Sequence, residues 1–375
     1  MATDRTSRND RAGRDPVRDD HLGADPAALR RIRLEVGSRL EQFLGEQRAV
    51  LRAISEEMVP WLDAVDGLLA GGKRLRPAFC YWGFRAAGGS DRPEVYTAAA
   101  ALELLQASAL IHDDVMDASE TRRGRPAVHK QFAARHLAAG HAGSADQFGV
   151  GAAILIGDVL LSWTDQLYHD SGLPADALRR GQASLDAMRT EVAAGQYLDL
   201  VNQVSGGASV AAAMRVVTYK TAKYTIERPL LLGAALAGPD AVAGTWSAYG
   251  IPLGIAFQLR DDVLGLFGDP AKTGKPVTGD IKEGKQTVLV ALARERASAP
   301  QAELLDRHLG DRALSDTAAA EVRAVIADTG ALAECEAMIA ASTKEAVAAL
   351  DGAPVADEAR AALVTLAVMA TEREE

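Results

Sequence analysis

Two acidic clusters carry side chains that could bind a metal ion. Asp113, Asp114 and Asp117 follow one apolar stretch, and Asp261 and Asp262 follow another. On a helix, Asp113 and Asp117 would project from the same face. Burying several carboxylates together is costly unless cations neutralise them. Hard carboxylate oxygens without clustered cysteine or histidine suit Mg²⁺, which proteins share with substrate phosphates. One such string alone is more often an exposed helix end, but two, each closing an apolar helix, predict a magnesium–diphosphate site.

Basic residues stand where a polyanionic ligand would need them. The segment GGKRLRP places Lys73 and Arg76 three residues apart, at a Gly-Gly loop that runs into a helix. Such loops present backbone N–H groups and cations to phosphate. Arg122 and Arg123 follow the first acidic cluster after a short turn. Three lysines lie in otherwise weakly basic segments: Lys220, Lys275 and Lys285. A single basic pair is usually a solvated surface, so the prediction of a phosphate site depends on the combination.

The elements that must position these residues are helices. From residue 27 onwards, apolar residues recur with helical spacing between Gly, Pro and Asp, and no strand-length alternation is sustained. The predicted helices cover 27–52, 75–87, 94–117, 150–169, 175–201, 209–236, 240–267, 285–308, 316–328, 331–350 and 357–373. The stretches 98–112 and 251–259 are apolar on nearly every side, which is typical of helices inside a bundle. We expect an all-α fold, a single large helical bundle.

Composition excludes several classes of protein. The chain has 375 residues with 5% aromatics and a net charge of -10, which argues against a β fold and against a nucleic-acid binder. Cys80 and Cys335 are the only cysteines, too few for a disulfide framework or a thiolate metal site. Glu103 and Asp158 interrupt the two longest apolar stretches, so we expect no membrane insertion and a soluble, cytoplasmic protein.

The N-terminal segment differs from the rest. Residues 1–26 carry five Arg and six Asp with almost no large apolar side chain. Such a segment cannot offset the entropy cost of ordering. We therefore predict a flexible tail over 1–26 and one domain over 27–375.

Together these motifs give the chain a strong resemblance to a known family. GGKRLRP, HDDVMDASETRRGRP, GQYLDL, YKTAKYT and FQLRDDVLGLFGDPAKTGKPVTGDIKEGKQT occur in this order. From about Arg48 to the last predicted helix the chain resembles the polyprenyl synthetase family, the trans-isoprenyl diphosphate synthases. The resemblance implies an isoprenoid synthase fold, in which the two acidic motifs of one chain face each other across a central cavity. It also implies a homodimer, the usual assembly of the family. Its substrates would be isopentenyl diphosphate and an allylic diphosphate.

The resemblance also implies a role for individual residues. Asp113 and Asp117, supported by Asp114, would hold Mg²⁺ on the allylic diphosphate, and Asp261, backed by Asp262, would bind a further ion, giving about three per site. The residues that grip the leaving diphosphate would be Arg122, Lys220, Lys275 and Lys285. The metal-free pocket for isopentenyl diphosphate would comprise Lys73, Arg76, Gln106 and Arg123. The polar groups beside the developing carbocation would be Thr221 and Gln258, with Gln196 and Asp199 on a neighbouring helix.

One position departs from the family pattern. The second motif is usually DDxxD, but here it ends in Gly265, so its third carboxylate is missing. Asp269, four residues further on, is a candidate substitute. His112 adjoins Asp113 but points about 100° away from it on a helix, and we expect it to pack rather than to act as a base.

These residue types favour ionisation followed by carbon–carbon bond formation. Mg²⁺ and the Arg/Lys set would stabilise charge on the leaving diphosphate. Isopentenyl diphosphate would attack the allylic cation, and the departing diphosphate would take the released proton.

Product length should depend on the side chains beneath the first acidic motif. Ser108 and Ala109 lie one helical turn below Asp113, and Leu105 about 12 Å below it, with Leu102 deeper still. The bulky aromatic that stops the chain at fifteen carbons in the family is absent here. We therefore predict the twenty-carbon geranylgeranyl diphosphate as product, with a longer polyprenyl diphosphate as the alternative.

Two other functions share parts of this pattern. A class I terpene cyclase has a similar fold and first motif, but it has no need of Lys73, Arg76 and Gln106. A non-catalytic partner subunit of a prenyl synthase commonly loses the acidic motifs, whereas this chain keeps five of the six carboxylates. Both are therefore weaker hypotheses than a synthase.

Overall fold

The described part of the protein is a bundle of helices with one short hairpin. The computed structural model describes residues 26–239, 243–269 and 278–372. Its first half contains α1 (Pro26–Ile54), a 3-10 turn (Glu56–Met58), α2 (Val59–Leu69), α3 (Leu75–Ala86), α4 (Pro93–Met116), α5 (Val128–Ala138), α6 (Ala145–His169) and α7 (Ala175–Val204). Its second half contains α8 (Val210–Val216), a π-helix (Val217–Glu227), α9 (Arg228–Ala237), α10 (Ala243–Phe267), α11 (Gly279–Glu283), α12 (Val288–Arg296), α13 (Ala299–His308), α14 (Asp316–Asp328), α15 (Ala331–Ala348) and α16 (Asp357–Thr371). Strands β1 (Thr121–Arg122) and β2 (Arg125–Pro126) form an antiparallel hairpin. The all-α prediction is confirmed.

Several helix boundaries differ from the prediction. The helices α2, α5 and α11 were not predicted; α2 carries Pro60 in its first turn, where proline costs no hydrogen bond. The predicted helix 285–308 is two helices, because Ser298 forms a capping box with Gln301 and starts a new helix there. The predicted helix 209–236 contains the π-helix at its centre. Residues 1–25, predicted as a flexible tail, lie outside the described residues.

The apolar helix α4 lies in the interior as predicted. Residues on every side of it are buried, including Val95, Ala101 and Leu104. By length and composition α4 and α6 could each cross a membrane, but core helices of soluble proteins pass the same test. The most apolar window of α4 is 72% buried inside the protein, as expected of a core helix, and that of α6 is 39% buried.

Two glycines let α7 and α10 approach the π-helix closely. A Cβ atom at Gly195 of α7 would lie 2.5 Å from the backbone nitrogen of Lys220, and one at Gly254 of α10 would lie 2.3 Å from Cα of Ala222. Real side chains do not tolerate such distances to backbone, so only glycine fits. The π-helix is therefore packed tightly between α7 and α10, an arrangement that we call the clamp. The clamp fixes the positions of Lys220 and Thr221, which lie on the π-helix.

The clamp predicts that Gly254→Ala will destabilise the protein. The added methyl must push Ala222 aside, which we expect to lower the free energy of unfolding by about 2 kcal/mol. Gly244→Ala, in the same helix, is the control, since a methyl there would meet no described atom within 4 Å. Urea denaturation measures both. Equal stability of the two variants would contradict the clamp.

Candidate active site

A deep cavity opens at the ends of α4 and α10. Its volume is about 1780 Å³, larger than the range of roughly 300–1,000 Å³ that is usual for ligand pockets. Asp113 of α4 and Asp261 of α10 both line it. Side chains from α6, α7, the π-helix, the β1–β2 hairpin and α11 complete the wall. The two acidic clusters therefore meet at one cavity, as the sequence predicted.

Asp113 lies among three cations. Lys220 Nζ is 3.2 Å from its Oδ1, and Arg122 Nη2 is 3.3 Å from its Oδ2. Burial alone would raise the pKa of Asp113, but the charges of Lys220 and Lys285 outweigh burial and hold that pKa below its ordinary value. Asp113 is thus held as a carboxylate at the cavity surface.

Asp114 and Asp117 lie behind the cavity wall. Arg122 Nε donates to Asp114 Oδ1 at 2.8 Å, which fixes the arginine beside Asp113. The two carboxylate oxygens of Asp117 are buried without a hydrogen-bond partner among the described residues. Burial and the charge of Asp113 raise the pKa of Asp117 to about 6. The nearby cations therefore do not fully offset the cost of burying the Asp117 carboxylate.

Lys285 connects the first acidic cluster to α11. Its Nζ lies 2.8 Å from Glu283 Oε2, 3.6 Å from Asp280 Oδ1 and 3.7 Å from Asp117 Oδ2. Although burial opposes the charge of Lys285, Asp280 and Glu283 hold its pKa well above the ordinary value. The ammonium group therefore stays charged beside the cavity.

Asp262 has a different place from Asp261. It is buried behind the wall, and burial raises its pKa well above the ordinary value. Gln258 Nε2 donates to Asp262 Oδ1 at 2.8 Å, and Gln258 Oε1 accepts a hydrogen bond from Thr221 Oγ1 at 2.6 Å. Asp262 therefore orients the Gln258 amide, which in turn orients the Thr221 hydroxyl.

The missing third carboxylate of the second cluster has a replacement nearby. A Cβ atom at Gly265 would lie 2.3 Å from Oδ2 of Asp280, so the Asp280 carboxylate occupies the space that a side chain at position 265 would take. Asp280 also lines the cavity. Asp269, which we considered as a substitute from the sequence, is exposed. The structure thus places Asp280, rather than Asp269, beside the second cluster.

A second cationic group lies at another part of the same cavity. Arg76 Nη2 donates to Thr225 Oγ1 at 2.8 Å, and the guanidinium lies 4.4 Å from the centre of the Tyr224 ring. Arg123 Nη1 donates to the carbonyl of Leu68 at 2.6 Å. Arg76 Nε and Gln106 Oε1 are buried without a hydrogen-bond partner among the described side chains. The residues of this group that line the cavity are Lys73, Arg76, Gln106 and Arg123.

A buried ion pair holds the loop that carries Lys73. Arg74, at φ 51°, pairs with Glu103 of α4, and the two side chains are only 9% and 6% exposed. Arg74 Nη2 also donates to the carbonyl of Leu69 at 2.6 Å. The sequence analysis noted Glu103 only as a charge inside an apolar stretch and did not assign Arg74 or Glu103 to the site. The signal was a lone glutamate inside an otherwise apolar helix, which needs a cation when buried.

The π-helix contacts both cationic groups. Lys220 Nζ contacts Asp113 and also donates to Asp199 Oδ2 at 2.7 Å. One turn later, Tyr224 and Thr225 contact Arg76. Single π-turns are frequent at functional sites, and here a longer stretch of π-helix reaches two parts of one cavity.

Two residues that the sequence assigned to the site, Lys275 and Leu102, are not among the described residues that line the cavity. Lys275 lies outside the described residues. Leu102 is fully buried in the core and lies behind the cavity wall, whereas Leu105, Ser108 and Ala109 line the cavity. His112, expected to pack, lies with its Nε2 3.3 Å from the carbonyl of Ile154.

The donor set fits Mg²⁺. In the described ranges, no three His, Cys, Asp or Glu side chains form a ready-made metal cage. Asp113 and Asp261 line the cavity, and Asp117 has two unpartnered oxygens. Mg²⁺ is commonly held by one or two carboxylates with several waters and a substrate phosphate. The arrangement therefore suits an ion that binds together with a phosphate group.

Comparison with known proteins identifies relatives over most of the chain. A sequence model of the polyprenyl synthetase family matches residues 60–327. A geranylgeranyl diphosphate synthase of Mycobacterium tuberculosis is 33% identical over 294 residues, which is 76% of this chain and 78% of that protein. A geranylfarnesyl diphosphate synthase of Aeropyrum pernix is 34% identical over 268 residues, covering 70% of this chain and 78% of the relative.

A solved structure is similar over nearly its whole length. Geranylgeranyl pyrophosphate synthase from Corynebacterium glutamicum, crystallised with isoprenyl diphosphate and magnesium, superposes with a TM-score of 0.87 at 43% identity. The match covers 90% of this chain and 97% of that one.

The position of Asp280 predicts a contribution to metal binding. Asp280→Asn should weaken the binding of Mn²⁺, used as a spectroscopic substitute for Mg²⁺, by about tenfold in the presence of inorganic diphosphate. Asp269→Asn is the control and should bind Mn²⁺ as the wild type does. Electron paramagnetic resonance of free Mn²⁺ measures the affinities. If Asp269→Asn weakens binding and Asp280→Asn does not, the assignment is wrong.

Proposed function

This chain belongs to the polyprenyl synthetase family, and we propose that its cavity condenses isopentenyl diphosphate with an allylic diphosphate to make geranylgeranyl diphosphate. Head-to-tail prenyl transfer is the chemistry of its synthase relatives. One observation carries the proposal for this chain. A single cavity holds two acidic helix ends, and a separate cationic group lies on its wall. Two diphosphates can therefore bind in the same cavity, one through Mg²⁺ at the acidic helix ends and one through cationic side chains.

We assign the allylic diphosphate to the site formed by the two acidic clusters. Asp113, Asp117 and Asp261 would hold Mg²⁺, supported by Asp280, and the family implies about three ions per site. Bound Mg²⁺ supplies Lewis-acid stabilisation of the charge on the leaving diphosphate. Arg122, Lys220 and Lys285 add fixed positive charge at the same place, and Lys275 is proposed to join them.

The carbocation forms beside polar oxygens. Thr221 and Gln258 line the cavity, and their mutual hydrogen bond fixes the direction of both side chains. Oxygen dipoles held in place before the reaction stabilise developing positive charge at little reorganisation cost. The double bond of isopentenyl diphosphate then attacks the cation, and the departing diphosphate takes the released proton.

Isopentenyl diphosphate belongs with the second cationic group. Arg76, Arg123 and Lys73 line the cavity near Gln106. The unpartnered Arg76 Nε can donate to a diphosphate oxygen, and the unpartnered Gln106 Oε1 can accept a hydrogen bond from water. Guanidinium groups bind phosphate through directed, charge-assisted hydrogen bonds, so this pocket needs no metal ion.

We further propose that the protein is a homodimer. Leu137 of α5 and Phe148, Ile154 and Leu155 of α6 are 71%, 46%, 42% and 54% exposed. Exposed apolar patches of this kind mark interaction sites in soluble proteins. These four exposed side chains lie on two helices that pack against each other, and we call them the α5–α6 face.

The catalytic proposal is tested with labelled isopentenyl diphosphate. Purified protein should elongate farnesyl diphosphate to geranylgeranyl diphosphate in the presence of Mg²⁺ and should lose activity in a chelator. Arg76→Ala should raise the KM for isopentenyl diphosphate by about tenfold or more, with a smaller effect on the allylic substrate. Arg85→Ala, at the surface end of the same helix α3, is the control.

Two results would overturn the assignment. The first is equal KM changes for both substrates in Arg76→Ala. The second is product formation without isopentenyl diphosphate, which would indicate a cyclase.

The dimer proposal predicts the effect of a charge on the α5–α6 face. Leu155→Glu should convert the protein from dimer to monomer, because burying an unpaired carboxylate at an interface is costly. Leu34→Glu, at a 69% exposed position of α1, should leave the dimer intact. Light scattering after size-exclusion chromatography reports the mass. A dimeric Leu155→Glu variant, or a monomeric wild type, would contradict the proposal.

A further inference from the structure

The cavity extends deeper than Leu105, one of the residues expected from the sequence to set product length. At the level of Leu105 its lining includes Leu161 and Ser162 of α6 and Val192 of α7, and beyond that level it includes Asp165 of α6 and Arg189 of α7. Asp165 and Arg189 form an ion pair between the two helices, with Arg189 Nη2 2.7 Å from Asp165 Oδ1. Sequence reasoning placed neither residue in the site.

The direction of α6 relative to α4 gives the depth of the Asp165–Arg189 pair in the cavity. His112 of α4 contacts the carbonyl of Ile154, and Gly172, just after α6, lies against Glu94 at the start of α4. The two helices are therefore antiparallel. Asp165 is eleven residues beyond Ile154, which places it about 16 Å below the level of His112.

The distance along α7 agrees with this depth, since Arg189 of α7 pairs with Asp165 of α6. Asp199 accepts a hydrogen bond from Lys220, which also contacts Asp113. Arg189 precedes Asp199 by ten residues, or about 15 Å along the helix. The two helices thus place the pair about half a turn to one helical turn deeper than Leu105.

The pair is a polar end to a largely apolar passage. The side chains of Leu105, Ala109, Leu161 and Val192 line the walls above it. Arg189 is 23% and Asp165 45% exposed, so both charges retain contact with solvent. Arg189 Nε is buried without a hydrogen-bond partner among the described residues, although Asp186 Oδ1 lies 4.0 Å from Nη1.

We infer that the Asp165–Arg189 ion pair is the chain-length stop of this enzyme. This inference rests on the proposed prenyl elongation. A growing hydrocarbon tail can slide along the apolar walls, but to pass the pair it must strip water from two charges or separate them. Both are unfavourable for an apolar ligand. Elongation therefore ends when the tail reaches the pair, and the product is released.

The test is product length with farnesyl diphosphate, labelled isopentenyl diphosphate and Mg²⁺. Arg189→Leu should raise the ratio of twenty-five-carbon to twenty-carbon product at least tenfold, and Asp165→Asn should shift it in the same direction. The charge-reversed double variant, Asp165→Arg with Arg189→Asp, should restore a product close to that of the wild type. Arg179→Leu, an exposed position on the same helix α7, is the control.

The outcomes separate this inference from the proposed function. A wild type that forms no prenyl product overturns both. A wild type that elongates, with an unchanged product distribution in folded Arg189→Leu and Asp165→Asn, overturns the stop alone. If circular dichroism shows that Arg189→Leu does not fold, the product distribution of the nearly isosteric Asp165→Asn variant is the deciding measurement. Failure of the charge-reversed variant to restore length would show that side-chain shape, rather than the ion pair, sets the product.

Discussion

The cost of burying carboxylates close together governs the whole arrangement. Asp113, Asp114 and Asp117 lie within one turn of a core helix, where unpaired negative charge is strongly unfavourable. Arg122, Lys220 and Lys285, each from a different element, supply the compensating charge. The balance is incomplete at Asp117, which makes the site receptive to divalent cations. In the proposed reaction Mg²⁺ would take the place of these cations at the carboxylates, and Arg122, Lys220 and Lys285 would then be available to bind the diphosphate.

Close backbone packing turns this charge balance into a defined geometry. Gly195 and Gly254 bring α7 and α10 against the π-helix, so that Lys220 reaches Asp113 while Thr225, one turn later, reaches Arg76. One short segment therefore sets the distance between the two proposed diphosphate pockets. Bond formation between two bound substrates depends on such a distance, because misplacement by about 1 Å can cost a hundredfold in rate. The stability of the clamp and the chemistry of the cavity are linked through the same residues.

Much of the site could be predicted from the sequence where a local pattern specified it. The four-residue spacing of Asp113 and Asp117, the apolar run before them and the GGKRLRP loop are all local patterns. The structure places Asp113, Lys73 and Arg76 in the wall of one cavity, with Asp117 behind that wall. The remainder depends on contacts between distant segments. That Asp280 fills the space beside Gly265 requires the fold of α11, and that Asp165 meets Arg189 requires the path of α6 and α7. Leu102 was assigned to the cavity because helical spacing gives a depth but not the position of the opposing wall. The Arg74–Glu103 pair was overlooked because a single glutamate in an apolar helix does not reveal its partner.

The central claim is that one cavity binds two diphosphates, one through metal ions and one through cationic side chains alone. Titration calorimetry with inorganic diphosphate tests this most directly. With Mg²⁺ present, the wild type should bind two diphosphates per chain, and in a chelator it should bind one. Asp113→Asn should bind one under both conditions, and Arg76→Ala should lose the metal-independent one. A stoichiometry that is the same with and without Mg²⁺ in the wild type would contradict the account.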